Sequence, residues 1–423
     1  MNGQDTIQRT YASGVVLRQR SWRDPGKMIV HRQTIDDVRD WLLGEALAVG
    51  DVLAFFEAFC WRMASALVSF DRASLHVGTL HPQIYGFAWN WEKGDGICDE
   101  IQVGEGILAT EAYRRSPLYG VIEYGRAFEE RIDEETQKRY PLLRELGAQG
   151  YSQYLALPLT AGGRQHNLVS LSTRQPGGFR PAELEAVRGL LRIFALHVER
   201  HIDRRISVNL LDAYLGAAAG GKVLNGSIRR GVGEEIDAVI WMSDLRGFTD
   251  LSSRLSGSAM TALLNAYFER LASAVIAEGG DILKFMGDGV LAVFPQRGDA
   301  AQAALRAAER ALTAIAALSD DPPPDLATVD GWAPLRSGIA LHEGKVFFGN
   351  VGSTERLDFT VIGPAVNAAS RIEALTKALG RAILVSEPVA RQLDAPLDDM
   401  GMHALRGVAG EMRLFSPRPM SRE

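Results

Sequence analysis

The chain has 423 residues, 46% hydrophobic and 23% charged, which suits two or three domains with cores of their own and excludes wholesale disorder. Lys and Arg total 46 against 52 Asp and Glu, and the net charge of −6 leaves no global basic field for nucleic acid or an anionic membrane. Two cysteines, Cys60 and Cys98, are too few for a disulfide framework and lack the paired spacing of a zinc site. No window approaches the ~20 consecutive apolar residues of a membrane span, so a cytoplasmic chain without its own anchor is expected.

Residues 1–33 mix Arg, Gln, Ser and Gly without the apolar stretch of a signal peptide, and read as a flexible tail. Val52, Phe55, Phe56, Phe59, Met63 and Leu67 then recur at three- and four-residue spacing, which predicts an amphipathic helix packed on a sheet. Strands are expected over 73–80, 85–91, 154–159 and 168–172, the last two joined as a hairpin through Gly162-Gly163. With Phe179 and Glu183 opening a further helix, this order over residues 34–180 resembles a GAF sensor domain. Tyr85, Phe87, Trp89 and Trp91 suit either the lining of a small-molecule pocket or ordinary core.

After Pro181, the positions Leu184, Val187, Leu191, Phe194 and Val198 alternate spacings of three and four, the seam of a coiled coil. Ile202 and Ile206 continue it at four. Residues 181–232 are therefore expected to be a signalling helix and linker, the seam serving either a dimer contact or packing on its own domain. Gly216 to Lys222 has the spacing of a phosphate-binding loop, but Val223 stands where a Ser or Thr would hold magnesium. That stretch reads as a flexible joint.

Two carboxylates follow. The apolar run 239–242 ends in Ser243-Asp244-Leu245, and Gly287-Asp288-Gly289 lies between the apolar runs 281–283 and 290–294, where a hairpin would turn. Alone, Gly-Asp-Gly is ordinary turn chemistry. Here it belongs to an ordered set: Asp244, then Lys284 with Asp288, then Gly349-Asn350-Val351-Gly352, then Thr360-Val361-Ile362-Gly363-Pro364-Ala365-Val366-Asn367-Ala368-Ala369-Ser370-Arg371. In this order the motifs of residues 233–423 resemble the catalytic domain of class III nucleotidyl cyclases of the bacterial adenylate cyclase type. The expected elements are a strand over 238–243, a helix over 258–278, a hairpin over 281–294 and an Ala-rich helix over 300–318. A strand pair over 337–351, a helix bearing Asn367 and Arg371, a strand over 382–385 and a closing pair near Leu405 and 412–415 complete them. This matches the ferredoxin-like α+β core of the resembled family.

The resemblance also implies the site. Asp244 and Asp288, with the adjoining Leu245, would hold two Mg²⁺ (or Mn²⁺) ions per active site. Gly247, Phe248 and Thr249 would present backbone N–H groups to a triphosphate. Asn367 would orient the ribose and Arg371 would stabilise charge on the α-phosphate. Arg406 stands where the family usually has a Lys that meets the terminal phosphates. Lys284 as donor and Thr360 as acceptor fit adenine; a guanine reader would carry an acidic residue in place of Lys284. Because the family draws its metal ligands and its nucleotide readers from different subunits, a homodimer is implied. The expected function is conversion of ATP to 3′,5′-cyclic AMP and pyrophosphate under control of the N-terminal sensor. The alternatives are a catalytically silent nucleotide-binding or dimerisation module and, further off, a guanylate cyclase.

Overall fold

Antiparallel strands rich in aromatic and β-branched residues build the first of the two units into which the chain divides, Met1–Leu210 and Leu211–Glu423. The computed structural model describes residues 9, 11, 14–28, 32–66, 68–79, 84–159, 167–322 and 334–418. Leu67, Leu80 and the expected Gly162-Gly163 turn lie outside these. No helix among the described residues is long and apolar enough to cross a membrane.

The first unit holds β1 (Val15–Trp22), β2 (Arg72–Gly78), β3 (Ile84–Glu92), β4 (Ile97–Gly104), β5 (Phe128–Arg131), β6 (Gln153–Leu159) and β7 (Asn167–Thr173). They form one sheet in the order β1-β4-β3-β2-β7-β6-β5. The helix Val52–Ser65, capped by Asp51 through Leu53 N and Ala54 N, buries Phe55, Phe56, Phe59 and Met63. Its core reaches Trp89 and Trp91 of β3, and Trp91 meets Trp61 edge-on at 5.0 Å. Both tryptophans are core, and Trp89 also borders a void of only about 10 Å³.

Two expectations change here. Residues 15–22, expected within a flexible tail, pair along their length with β4. The cause is electrostatic. Asp99 of β4, its side chain inaccessible to solvent, accepts from Arg20 Nε at 2.6 Å and Nη2 at 3.0 Å, and from the Tyr11 hydroxyl at 2.6 Å. Arg9 adds an ion pair to Asp99 at 3.4 Å. Such pairing between residues some eighty positions apart leaves no mark on local periodicity.

The second change concerns the helix Pro181–Leu215. Val187, Leu191, Phe194 and Val198, the expected coiled-coil seam, are buried in the first unit's own core. Phe194 packs 4.3 Å from Phe59 and 5.1 Å from Phe55, ring centre to ring centre. A helix lying on one neighbouring helix needs the same three-and-four spacing as a supercoil, so periodicity alone does not separate the two. Likewise Ala217–Leu224 is a helix rather than a flexible joint, with Ala219 buried in the second unit. Three consecutive alanines favour that outcome.

The second unit contains β8 (Gly233–Leu245), β9 (Asp281–Met286), β10 (Gly289–Pro295), β11 (Ser337–Gly352), β12 (Leu357–Ile362), β13 (Ile383–Ser386), β14 (Leu397–Ala404) and β15 (Glu411–Pro417). The sheet runs β14-β15-β13-β11-β8-β10-β9, with β12 paired to β11. Where a strand pair was expected over 337–351 there is one strand. Its ladder to β8 continues through Gly344↔Ala238, so the polar interruption at Glu343-Gly344 is carried without a turn.

Alternation along β8 divides the sheet into two faces. Val239, Trp241 and Leu245 pack under the helices Gly257–Ala277 and Ala300–Asp320. Ala238, Ile240 and Met242 face the other way, with Ala365 and Ala369 of the helix Pro364–Ala378. Asp244 shares the parity of this second set.

Glu183 supplies a test of the first unit. Its carboxylate accepts from Ser69 N at 3.2 Å, Ser69 Oγ at 2.8 Å and Arg180 N at 2.8 Å, and pairs with Arg180 Nη2 at 2.9 Å. Burial works to raise its pKa, but the bonds from Arg180 and Ser69 outweigh it and hold the group at about 2 against an ordinary 4.5. A depressed carboxyl stabilises the fold above its unfolded value and loses that contribution as pH falls through the folded one. The urea midpoints of the wild type and Glu183→Gln should therefore differ most above pH 4.5 and converge towards about pH 2. A gap that stays constant over that window would contradict this account.

Candidate active site

Hydrogen bonding of β10 to both β8 and β9 brings two distant carboxylates together. Val290 pairs with Ser243, and Gly289 pairs with Met286, leaving Gly287-Asp288 as a two-residue hairpin beside the end of β8. Gly287 has φ +66°, a conformation other residues resist. The carboxyls of Asp244 and Asp288 come within hydrogen-bonding reach of each other. Burial first, then that hydrogen bond and the Asp288 charge, with Glu373 adding to them, push Asp244 up to about 7.

A bridging divalent cation would reverse that penalty. The fit is one of donor type: oxygen donors only, and among the described residues no cluster of three or more His, Cys, Asp or Glu able to cage an ion. Magnesium suits such a half-built site, since it takes one or two carboxylates and completes its octahedron with water and phosphate oxygens. Leu245, buried in the core, can contribute only its backbone carbonyl, because its side chain has no ligating atom.

Around the pair lies a supporting set that sequence reasoning missed. Gly338 stands opposite Asp244, and a Cβ there would lie 2.3 Å from Thr376 Oγ1, 2.7 Å from Glu373 Oε1 and 2.9 Å from Arg246 Nη2. Arg246 donates to Thr376 Oγ1 at 2.7 Å and to the Arg381 carbonyl at 3.3 Å, tying the turn after β8 to the helix Pro364–Ala378. Glu373 is pushed up by burial, which the Arg246 charge and the Thr376 hydroxyl oppose. On the other side of β8, Ser337 Oγ donates to the Asp244 carbonyl at 2.9 Å and takes the Tyr267 hydroxyl at 2.8 Å. No local spacing signal joins this set, because its members come together only when two helices pack on the sheet.

Gly247, with φ +75°, opens the seven-residue helix Phe248–Arg254, and Thr249 and Asp250 are exposed there. The first N–H groups of any helix lack intrahelical partners. Lys284 of β9 pairs with Asp358 of β12 at 2.7 Å. Asp358 lies two residues from Thr360, and so on the same face of β12. It is a further acceptor beside the expected base reader, and the Lys284 ammonium holds its carboxyl below the ordinary range.

The remaining expected residues do not join the carboxylates in this chain. Asn367 and Arg371 project from the exposed side of their helix, while Ala365, Ala368, Ala369 and Ile372 are buried. Arg406 is exposed in the turn between β14 and β15, at the opposite end of the sheet order from β9.

Residues 233–416 match the family profile of the adenylate and guanylate cyclase catalytic domain. An adenylate cyclase of Anabaena cylindrica is 38% identical over 157 residues, 37% of this chain and 31% of that protein. The photoactivated adenylate cyclase subunit alpha of Euglena gracilis is 32% identical over 170 residues, 40% of this chain and 16% of that protein. The chain thus spans about a third or less of the length of these relatives. Among solved structures, the adenylyl cyclase CyaB from P. aeruginosa is 28% identical, with a TM-score of 0.41 over 45% of this chain and 98% of that one. Over residues 233–416 the second unit is accordingly similar to the adenylate and guanylate cyclase catalytic domain.

Proposed function

We propose that the chain is a homodimeric adenylate cyclase that converts ATP to 3′,5′-cyclic AMP and pyrophosphate. The observation that carries this reading is the opposed pair Asp244 and Asp288, two carboxylates whose mutual cost a divalent cation would relieve. In the reaction the ribose 3′-oxygen loses its proton and bonds the α-phosphorus, and the bond from that phosphorus to the bridging oxygen of pyrophosphate breaks. Two bound Mg²⁺ ions would lower the 3′-hydroxyl pKa and neutralise phosphate charge. Asp244, the Leu245 carbonyl and Asp288 would hold them. The N–H groups at Gly247, Phe248 and Thr249 would take up the triphosphate.

Asn367 and Arg371 support the dimer. Four residues apart on one exposed helix face, their side chains make no hydrogen bond to another described residue and face away from their own chain's core. In a two-fold dimer they would reach the partner's carboxylates, Asn367 at the ribose and Arg371 at the α-phosphate. Phe285, Met286 and Ile362, at 49%, 41% and 46% exposed, add apolar surface on the two strands that bear Lys284 and Thr360. Arg406 would meet the terminal phosphates.

Purified protein should form cyclic AMP from ATP with Mg²⁺ or Mn²⁺, and Asp288→Ala should abolish it. Asp244→Ala and Arg371→Ala chains should each lose at least ~100-fold in kcat, the scale of a lost transition-state contact. Mixed, they should regain roughly a quarter of wild-type turnover, since about half the dimers carry one intact site of two. Folded heterodimers without activity would reject the shared-site reading. No product from a folded dimer with either metal would favour the silent module.

Base choice rests on Lys284 as donor to adenine N1, with Thr360 and Asp358 as candidate acceptors for the N6 amino group. Lys284→Glu should lower kcat/KM for ATP at least ~10-fold and narrow the gap to GTP. An unchanged ATP to GTP ratio would remove Lys284 from base reading.

We also assign control of turnover to the first unit, because the helix Pro181–Leu215 rises from that unit's core and runs into the residues of the second. Removal of the residues before Gly231 should change basal turnover; identical rates and identical dimerisation would contradict that assignment.

A further inference from the structure

The first unit contains a cavity of about 510 Å³, far larger than the voids left between packed side chains and within the range of small-molecule sites. One wall is the sheet, through Ala88, Ile101 and Val103 of β3 and β4. The other is the segment from Ile107 to Ile122 together with Leu142. Most of what faces the interior is apolar.

Two polar groups face it from the sheet. His76 of β2, paired with Ala88, lines the cavity, and its imidazole makes no hydrogen bond to another described residue. Its burial, and then the Arg72 charge, push the imidazole down to about 4, so it is neutral at pH 7. Tyr85 stands 3.3 Å from the Tyr113 hydroxyl, which itself lies 2.8 Å from Glu123 Oε1. Tyr113 donates to that carboxylate, so Tyr85 donates to Tyr113 and keeps its oxygen lone pairs for an incoming donor. Arg115 and Glu145, the charged residues of the lining, are both exposed to solvent, and Arg115 pairs with Glu111 at 3.6 Å.

A charged ligand would be desolvated at the sheet wall, where no charged side chain faces it and Arg115 and Glu145 stand at the solvent side. A hydroxyl, able to donate and to accept, matches the Tyr85 oxygen and either tautomer of His76. We propose that the first unit binds a neutral, mainly apolar small molecule carrying an alcohol or phenol group, held between the β2–β4 sheet and the segment 107–122 with its hydroxyl at His76 and Tyr85. The cyclase reading plays no part in this.

Equilibrium dialysis of the full chain at pH 7 against 2-naphthol, naphthalene and naphthalene-2-sulfonate tests it. Saturable one-to-one binding of 2-naphthol is expected, with naphthalene and the sulfonate each at least ~10-fold weaker. His76→Leu and Tyr85→Phe should each reduce the preference for 2-naphthol over naphthalene several-fold. Ala112→Trp, a change at an exposed lining residue, should abolish binding of both while the circular dichroism stays unchanged. Three outcomes would overturn the proposal: no saturable binding of 2-naphthol up to about 1 mM, a sulfonate that binds as tightly, or a preference that survives both His76→Leu and Tyr85→Phe.

Discussion

Two carboxylates that repel each other organise the second unit. Asp244 ends the central strand β8 and Asp288 sits in the hairpin beside it, and burial, with the hydrogen bond and charge of Asp288 added to it, pushes Asp244 up to about 7. Left alone, such a pair costs stability. The hydrogen-bond ladders from β10 to β8 and to β9 hold both in place, and the core beneath β8 leaves the strand little freedom to relax. The sheet therefore holds two carboxylates close together, an arrangement that a bridging cation would stabilise.

The surrounding residues stiffen that arrangement. Tyr267 and Ser337 fix the Asp244 carbonyl from one face, and Arg246 ties the turn that follows to Thr376 and Arg381 on the other. Substitution at Gly338 would displace three side chains at once, because Thr376, Glu373 and Arg246 already occupy the space of its missing Cβ. The helix that bears Asn367 and Arg371 is thus bound to the carboxylate end of the sheet through its inner side, while its outer side stays open. One face of this helix packs on its own chain and the other, the one the proposed dimer would use, is exposed.

The first unit is organised by different physics. Aromatic packing between the helices Val52–Ser65 and Pro181–Leu215 fills one face of its sheet, and the cavity near His76 lies against β2, β3 and β4. Tyr85 and Phe87 border that cavity while Trp89 and Trp91, on the same strand, are core. An aromatic run along one strand could not reveal this division, since the strand passes from under the helix to the edge of the cavity.

The second unit was legible in its sequence because its motifs are local. Gly-Asp-Gly between two apolar runs makes a hairpin, Gly363-Pro364 opens a helix, and four-residue spacing puts Asn367 and Arg371 on one face; each follows from backbone geometry within a few residues. Tertiary structure decided what depends on residues far apart. Asp99 draws Arg9, Arg20 and Tyr11 into the first unit and turns an apparent tail into a strand. The seam of the helix after Pro181 packs on its own unit, a choice that heptad spacing leaves open. Asp358 joins Lys284 across two strands that are not direct neighbours, and Glu373 joins the Asp pair from a helix packed on the sheet. Backbone propensity and turn chemistry act over a few residues and can be read in order, whereas charge pairing, cavities and the company a carboxylate keeps arise only when the folded chain brings distant residues together.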